Sequence, residues 1–203
     1  MKLLYGTSNK SKIRVMKEYI ASLGIEISSL DDVSAPLPDI DESGSSPLEN
    51  ARIKALAYYK ALKTPVFSCD SGLYIDGLDD TRQPGVHVRR INGRRLNDDE
   101  MIAYYSALAN EFGGKLTARY QHSICLVMDD AKIYEHAGED LASQRFYIVS
   151  KPHPRRYEGF PIDSLSVEIQ SGMYYYDIEN CQDIYFGIAD GFTAFFSRVL
   201  RDV

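Results

Sequence analysis

Met1-Lys2-Leu3-Leu4-Tyr5-Gly6-Thr7-Ser8-Asn9-Lys10-Ser11-Lys12 reads as a short buried strand running into a phosphate cradle. Lys2 to Tyr5 is mostly apolar, and Gly6 breaks it. Thr7, Ser8 and Asn9 bring small polar side chains, any of which can cap the helix that follows. Ile13, Met16, Tyr19, Ile20 and Leu23 recur at helical spacing, and Gly24 stops the run. A strand, a polar turn and a helix N-terminus present unpaired N–H groups and the positive end of a dipole to an anion. Lys10 and Lys12 add full charges there, with Ser11 between them. On local sequence alone an ordinary strand-to-helix turn with solvated lysines fits equally well. The glycine pattern of a P-loop or a dinucleotide fold is absent.

Outward from this stretch, strands and helices alternate and then give way to strands. Glu26 to Ser29 predicts a second strand, followed by a polar loop over Asp31 to Gly44. Ser46-Pro47-Leu48-Glu49 predicts a helix start, with Ser46 as N-cap, Pro47 in the first turn and Glu49 closing a capping box. That helix runs to about Leu62. Pro65 to Ser68 predicts a third, buried strand, and Asp70-Ser71-Gly72 just past it has the composition of a tight turn. Asn97 caps a helix with Asp98, Asp99 and Glu100 in its first turn, ending at Gly113-Gly114. Leu116 to Met128 reads as a long strand with its partner from Lys132 onward, and Phe192, Phe195, Phe196, Val199 and Leu200 mark a closing amphipathic helix. The pattern predicts an α/β chain with a mixed twisted sheet, residues 1–203 forming a single domain.

Composition sets outer limits. The 203 residues are 44% hydrophobic and 26% charged, ordinary for a globular chain long enough to bury a sizeable core. A net charge of −6 argues against a broad nucleic-acid-binding face but not against a nucleotide, which needs only a local positive pocket. No apolar run approaches the ~20 residues that span a bilayer, so no membrane partner is expected. Cys69, Cys125 and Cys181 are widely spaced, and reduced thiols in a cytoplasmic protein are the expectation. His87, His122, His136 and His153 are isolated from one another, and no zinc spacing is present. Tyr174-Tyr175-Tyr176 reads as core or interface packing ahead of ligand stacking.

Three ordered blocks resemble one family. Thr7-Ser8-Asn9-Lys10-Ser11-Lys12 is similar to the Thr-x-Asn-x-x-Lys signature of the inosine triphosphate pyrophosphatase family. Asp41-Glu42-Ser43-Gly44 with Glu49-Asn50-Ala51-Arg52-Ile53-Lys54-Ala55 is similar to its acidic loop and Glu-Asn-Ala-x-x-Lys-Ala helix. Cys69-Asp70-Ser71-Gly72-Leu73, then Pro84-Gly85 and Arg90, resembles its Asp-Ser-Gly-Leu and Pro-Gly-x-x-x-x-Arg blocks.

The resemblance implies two lobes around a central nucleotide-binding cleft, a homodimer, and hydrolysis of deaminated or otherwise modified purine nucleoside triphosphates to monophosphate and pyrophosphate. It implies Mg²⁺ held by Glu42 and Asp70, an ion that suits the chemistry because it takes oxygen ligands from one or two carboxylates and keeps several waters. Asp70 is then the base that prepares the attacking water. Lys54 stands near the reacting group and Lys12 on the phosphates, both lysines being expected to face solvent. Thr7, Ser8, Asn9, Lys10, Ser11, Ser71 and Arg90 complete the expected substrate contacts.

The second half departs from the pattern. Cys69 stands where the family usually has an acidic residue. Gly159-Phe160-Pro161-Ile162-Asp163 is the nearest match to the family's Gly-Phe-Gly-Tyr-Asp-Pro segment, so Phe160 is expected to stack on the base and Asp163 to lie beside it. The family's Ser-His-Arg triplet is missing, since no histidine follows His153. A weakened or altered base preference follows. An alternative stays open, a nucleotide-binding protein of the same fold with lost or altered catalysis. Retention of Asp70, Glu42, Lys12 and Lys54 together favours the enzyme.

Overall fold

In the computed structural model, which describes residues 1–178 and 182–202, Lys2–Tyr5 forms strand β1 with its last three residues buried. Helix α1, Lys10–Tyr19, follows; its predicted run to Leu23 is finished by a separate 3₁₀ turn, Ala21–Leu23. Gly24 ends that turn at φ 65°, a left-handed conformation open to glycine without penalty. Glu26–Ser28 is β2, parallel to β1. Helix α2 spans Pro47–Leu62, with the Ser46 side chain accepting from the Glu49 N–H as expected. The capping box is different from the predicted one. The Glu49 carboxylate takes both the N–H and the hydroxyl of Ser45, at 2.7 and 2.8 Å.

Strand β3 runs over Val66–Ile75, parallel to β1. It overturns both the expected end at Ser68 and the turn at Asp70-Ser71-Gly72. Turn-forming residue types are overridden here because the segment is buried between neighbouring strands, where extended backbone satisfies its N–H and C=O groups. Asp80–Arg82 folds as a 3₁₀ turn capped by Asp79, and a short hairpin of β4, Arg90–Ile91, and β5, Arg94–Arg95, leads to helix α3, Asp98–Glu111. Asn97 and Glu100 form a full capping box there. The long strand β6, Lys115–Val127, and its antiparallel partner β7, Ile133–His136, match expectation. Strands β8, Phe146–Val149, and β9, Ser166–Glu168, are additions, too short for periodicity to announce. Helix α4, Gln182–Arg201, closes the chain.

The chain divides into two compact units. The first comprises Met1–Ser71, Gln121–Ala142 and Gly187–Val203, and the second Gly72–Tyr120 and Ser143–Phe186. The main sheet has the order β2-β1-β3-β6-β8-β9, with β7 also on β6, giving the mixed parallel and antiparallel pairing expected. In the first unit, Leu4, Val66, Cys125 and Val127 of the strands pack with Leu30 and with Ala51, Ala55 and Tyr58 of α2. Tyr5 stacks on Phe67 at 4.4 Å, and Phe196 of α4 meets Phe67 edge-on at 5.1 Å. In the second unit, Met101, Ile102, Tyr105 and Leu108 of α3 pack on Leu116, Phe146 and Ile148, with Tyr175 buried among them. Tyr175 thus takes the packing role expected of the tyrosine run, while the Tyr174 hydroxyl donates to the Lys151 carbonyl at 2.6 Å.

Cys69 and Cys125 are buried free thiols; Cys181 lies outside the described residues. Among the described residues no helix is long and apolar enough to cross a membrane.

Candidate active site

The cradle is built by its own side chains. Asn9 caps α1, its Oδ1 accepting from the N–H of Ser11 at 3.0 Å and of Lys12 at 3.1 Å, while the Thr7 hydroxyl oxygen accepts from the Asn9 N–H. Asn9 and Thr7 therefore shape the turn, and Ser8 stands exposed beside them. Gly6 is needed for close approach: a Cβ there would lie 2.4 Å from Ser68 Oγ and 2.7 Å from Tyr58 Cδ2. Lys10 is exposed at the start of α1, with an Asp31 carboxylate oxygen 3.7 Å from its Nζ.

Lys12 is half-buried, a correction to the solvent-facing position expected of it. Burial lowers its pKa, and the Lys54 ammonium works in the same direction against the pull of Asp70 and Glu42. A cation held under these conditions gains from an added anion.

The acidic loop and the α2 lysine meet β3. Asn50, almost fully buried, accepts from the Gly44 N–H at 2.8 Å and so anchors the loop that carries Glu42. This assigns the asparagine of Glu49-Asn50-Ala51 a positioning task that its sequence context left unread. Lys54 Nζ donates to Asp70 Oδ1 at 2.9 Å and to Glu42 Oε2 at 3.1 Å. The side chains of Lys54 and Asp70 are each only 12% exposed, so Lys54 is also no solvated lysine, while Glu42 is 44% exposed. Burial acts to lower the Lys54 pKa, yet the two carboxylates outweigh it and the net direction is upward. Lys54 is a fixed cation that gathers both expected acidic residues.

Ser71 sits on the first unit's last β3 position, its Oγ 2.7 Å from His122 Nδ1 on β6. Sequence spacing gives no sign of this pair, because its members lie 51 positions apart. Burial, reinforced by Lys12, pushes the His122 pKa down to about 3. Cys69, in place of the usual acid, is buried, and burial pushes its thiol up to about 12.

Arg90, Phe160 and Asp163 belong to the second unit. Arg90 is exposed on β4, directly across from Arg95 of β5. Neighbouring Arg89 and Arg94 are matched to Asp98 and Glu100 of α3. Phe160 precedes the 3₁₀ turn Pro161–Leu165 with its ring 6.2 Å from that of Tyr157, and Asp163 lies within the turn. Burial first, and the Asp163 carboxylate second, raise the phenol pKa values of Tyr120, Tyr175 and Tyr176.

Comparison with known proteins supplies the family. The Ham1 family model matches residues 3–153. A dITP/XTP pyrophosphatase of Oceanobacillus iheyensis is 41% identical over 101 residues, covering 50% of this chain and 50% of the relative. Another from Rhodopseudomonas palustris is 36% identical over 138 residues, 66% of this chain and 64% of the relative. A third, from Thermus thermophilus, is 30% identical over 174 residues, 85% and 78%. The chain thus spans about half the length of the first of these relatives and just under two thirds of the second. Among solved structures, a HAM1 protein from Coxiella burnetii aligns with a TM-score of 0.75 at 24% identity over 100% of both chains. The Staphylococcus aureus Ham1 protein aligns at 0.71 and 20% identity over 97% of this chain and 98% of that one, and these likenesses speak to the fold.

Proposed function

This chain belongs to the Ham1 family, and from that premise we propose that it hydrolyses nucleoside triphosphates, deaminated or otherwise modified purines among them, to monophosphate and pyrophosphate. The observation that carries the reading is the Lys54 ammonium joined at once to Glu42 and Asp70. A buried carboxylate oriented by a fixed ammonium, with a second carboxylate on the same cation, is what activation of a water beside a bound cation requires.

Each residue then has a task. Lys12, half-buried at the start of α1, places a point charge for phosphate oxygens. The capped turn over Thr7 to Lys12 presents the helix N-terminus to the same anion. Asp70 accepts a proton from the attacking water at its carboxylate, and Lys54 orients that carboxylate through a direct hydrogen bond. Cys69, its thiol pushed up to about 12 by burial, stays protonated near neutral pH and is no thiolate nucleophile or metal ligand there.

Two hard carboxylates already competing for one cation, with Glu42 partly open to solvent, form a donor set that fits Mg²⁺. When bound, the metal supplies charge neutralisation on the phosphates and a polarised water. Arg90, Phe160 and Asp163 are assigned to the nucleotide by their motif positions. A homodimer in the cytoplasm is part of the same proposal.

The test is a screen of deaminated, modified and ordinary triphosphates with Mg²⁺, scored by pyrophosphate released, run beside Asp70→Asn. The amide is nearly isosteric but cannot take the proton, so a loss of at least about a hundredfold in kcat is expected, with the fold retained. A folded Asp70→Asn protein working at close to the wild-type rate refutes the assignment, and binding without turnover by the wild type returns the alternative.

A further inference from the structure

Asp70 and Ser71 are consecutive in β3, so their side chains leave opposite faces of the strand. On one face Asp70 is held by Lys54 of α2. On the other, Ser71 Oγ lies 2.7 Å from His122 Nδ1 on β6, the neighbouring strand. The His122 ring is itself backed by Phe192 of α4, with centroids 6.5 Å apart. The dipeptide is therefore tied from both sides of the sheet, and the His122 tie has no counterpart in the proposed chemistry.

We infer that His122 is a positioning residue, which by holding Ser71 from the far face of β3 fixes where the Asp70 carboxylate stands. The inference rests on the reading of Asp70 as the base. An imidazole is well suited to the task because its ring is rigid and its nitrogens offer one donor and one acceptor when neutral. Burial keeps this ring neutral, and a serine hydroxyl can complement either tautomer because it both donates and accepts. The arrangement also redefines Ser71, whose hydroxyl is engaged by His122 and so serves the strand before any nucleotide. Small displacements of a reacting group are expensive, a misplacement of about 1 Å costing on the order of a hundredfold.

The experiment compares His122→Phe, His122→Asn, Ser71→Ala and the Ser71→Ala/His122→Phe double variant by steady-state kinetics, thermal melting and amide hydrogen exchange over residues 69–72. His122→Phe should lower kcat by about 10- to 100-fold with KM held within about twofold. The Asn variant places an amide where Nδ1 stood and should recover most of that loss. Ser71→Ala should match His122→Phe, and the double variant should be no worse than either, because both remove one tie. Exchange over 69–72 should quicken in His122→Phe and return toward wild type in His122→Asn. Unchanged kcat and exchange in His122→Phe, or losses that multiply in the double variant, overturn the inference. If the wild type releases pyrophosphate from no triphosphate, the proposed function falls and the exchange data alone decide the tie.

Discussion

Lys54 Nζ stands 2.9 Å from Asp70 Oδ1, with both side chains only 12% exposed, and this pair fixes how the lysine behaves when removed. A solvated lysine would change stability by no more than about 0.5 kcal/mol on truncation. Lys54→Ala instead strands a carboxylate that is buried in β3, which typically costs about 3 kcal/mol or more. The melting temperature should fall by roughly 6–12 °C for a chain of this size. Adding Asp70→Ala should restore part of the loss, because the double variant no longer buries an unpaired charge. A Lys54→Ala melt within a degree of wild type would show that solvent reaches the carboxylate freely.

The same pair predicts a pH dependence. The Lys54 pKa is raised on folding, so its contribution to stability is complete below the unfolded value and is lost only as pH rises past about 10.5 through the folded value. His122 has the opposite sign. Its pKa falls to about 3 on folding, so between about 6.5 and 3 the unfolded chain binds the extra proton and stability drops as pH falls. The wild type should lose up to about 1.4 kcal/mol per pH unit more than His122→Asn across that window. Denaturant melts of both proteins at pH 7, 6, 5 and 4 measure the difference, and parallel curves would refute the buried neutral imidazole.

How much of this was legible in the sequence depends on the range of the signal. A cap among Thr7 to Asn9, the Pro47 helix start and the Asn97 cap are local signals; the structure settles the first on Asn9 and adds the Glu100 half of a capping box to the last. Asp70-Ser71-Gly72 misled because turn propensity is local while the pairing that extends β3 through it comes from strands elsewhere in the chain. The motif positions of Glu42, Lys54 and Asp70 were readable, but their shared hydrogen bonds and burial were not. Lys54 and Lys12 looked solvated because lysine usually is, and only packing against β3 and the acidic loop reverses that. The Ser71–His122 pair had no readable sign, since nothing in spacing links positions on two separate strands.

Arg90 and Arg95 face each other across the β4–β5 pair, and among the described residues neither has a carboxylate partner. Like charges directly opposite destabilise a strand pair by a few tenths of a kcal/mol to about 1 kcal/mol. Arg95→Glu should therefore stabilise the free protein by about 0.5 kcal/mol, a rise of roughly 1–2 °C in melting temperature. Raising salt should shrink the gain, since both side chains are exposed. A lower melting temperature at low salt would show that Arg95 makes a favourable contact of its own.

The last expectation concerns the base. Stacking on an aromatic face tolerates any base, whereas discrimination by more than about a hundredfold needs hydrogen bonds to the groups that differ. Phe160 offers a ring beside Tyr157, but the family's Ser-His-Arg triplet is missing from this chain. Phe160→Ala should weaken all purine triphosphates alike, by about 1–3 kcal/mol for a lost stack. The ratio of kcat/KM between deaminated and ordinary purine triphosphates should stay below about a hundredfold in the wild type and change little in the variant. A larger wild-type ratio would mean that other polar groups of the second unit have rebuilt base reading. Tyr176 is then the first to substitute, because its buried hydroxyl has no hydrogen-bond partner among the described residues. Tyr176→Phe would lower the ratio if that hydroxyl reads the base edge, and would leave it unchanged if the ring only packs.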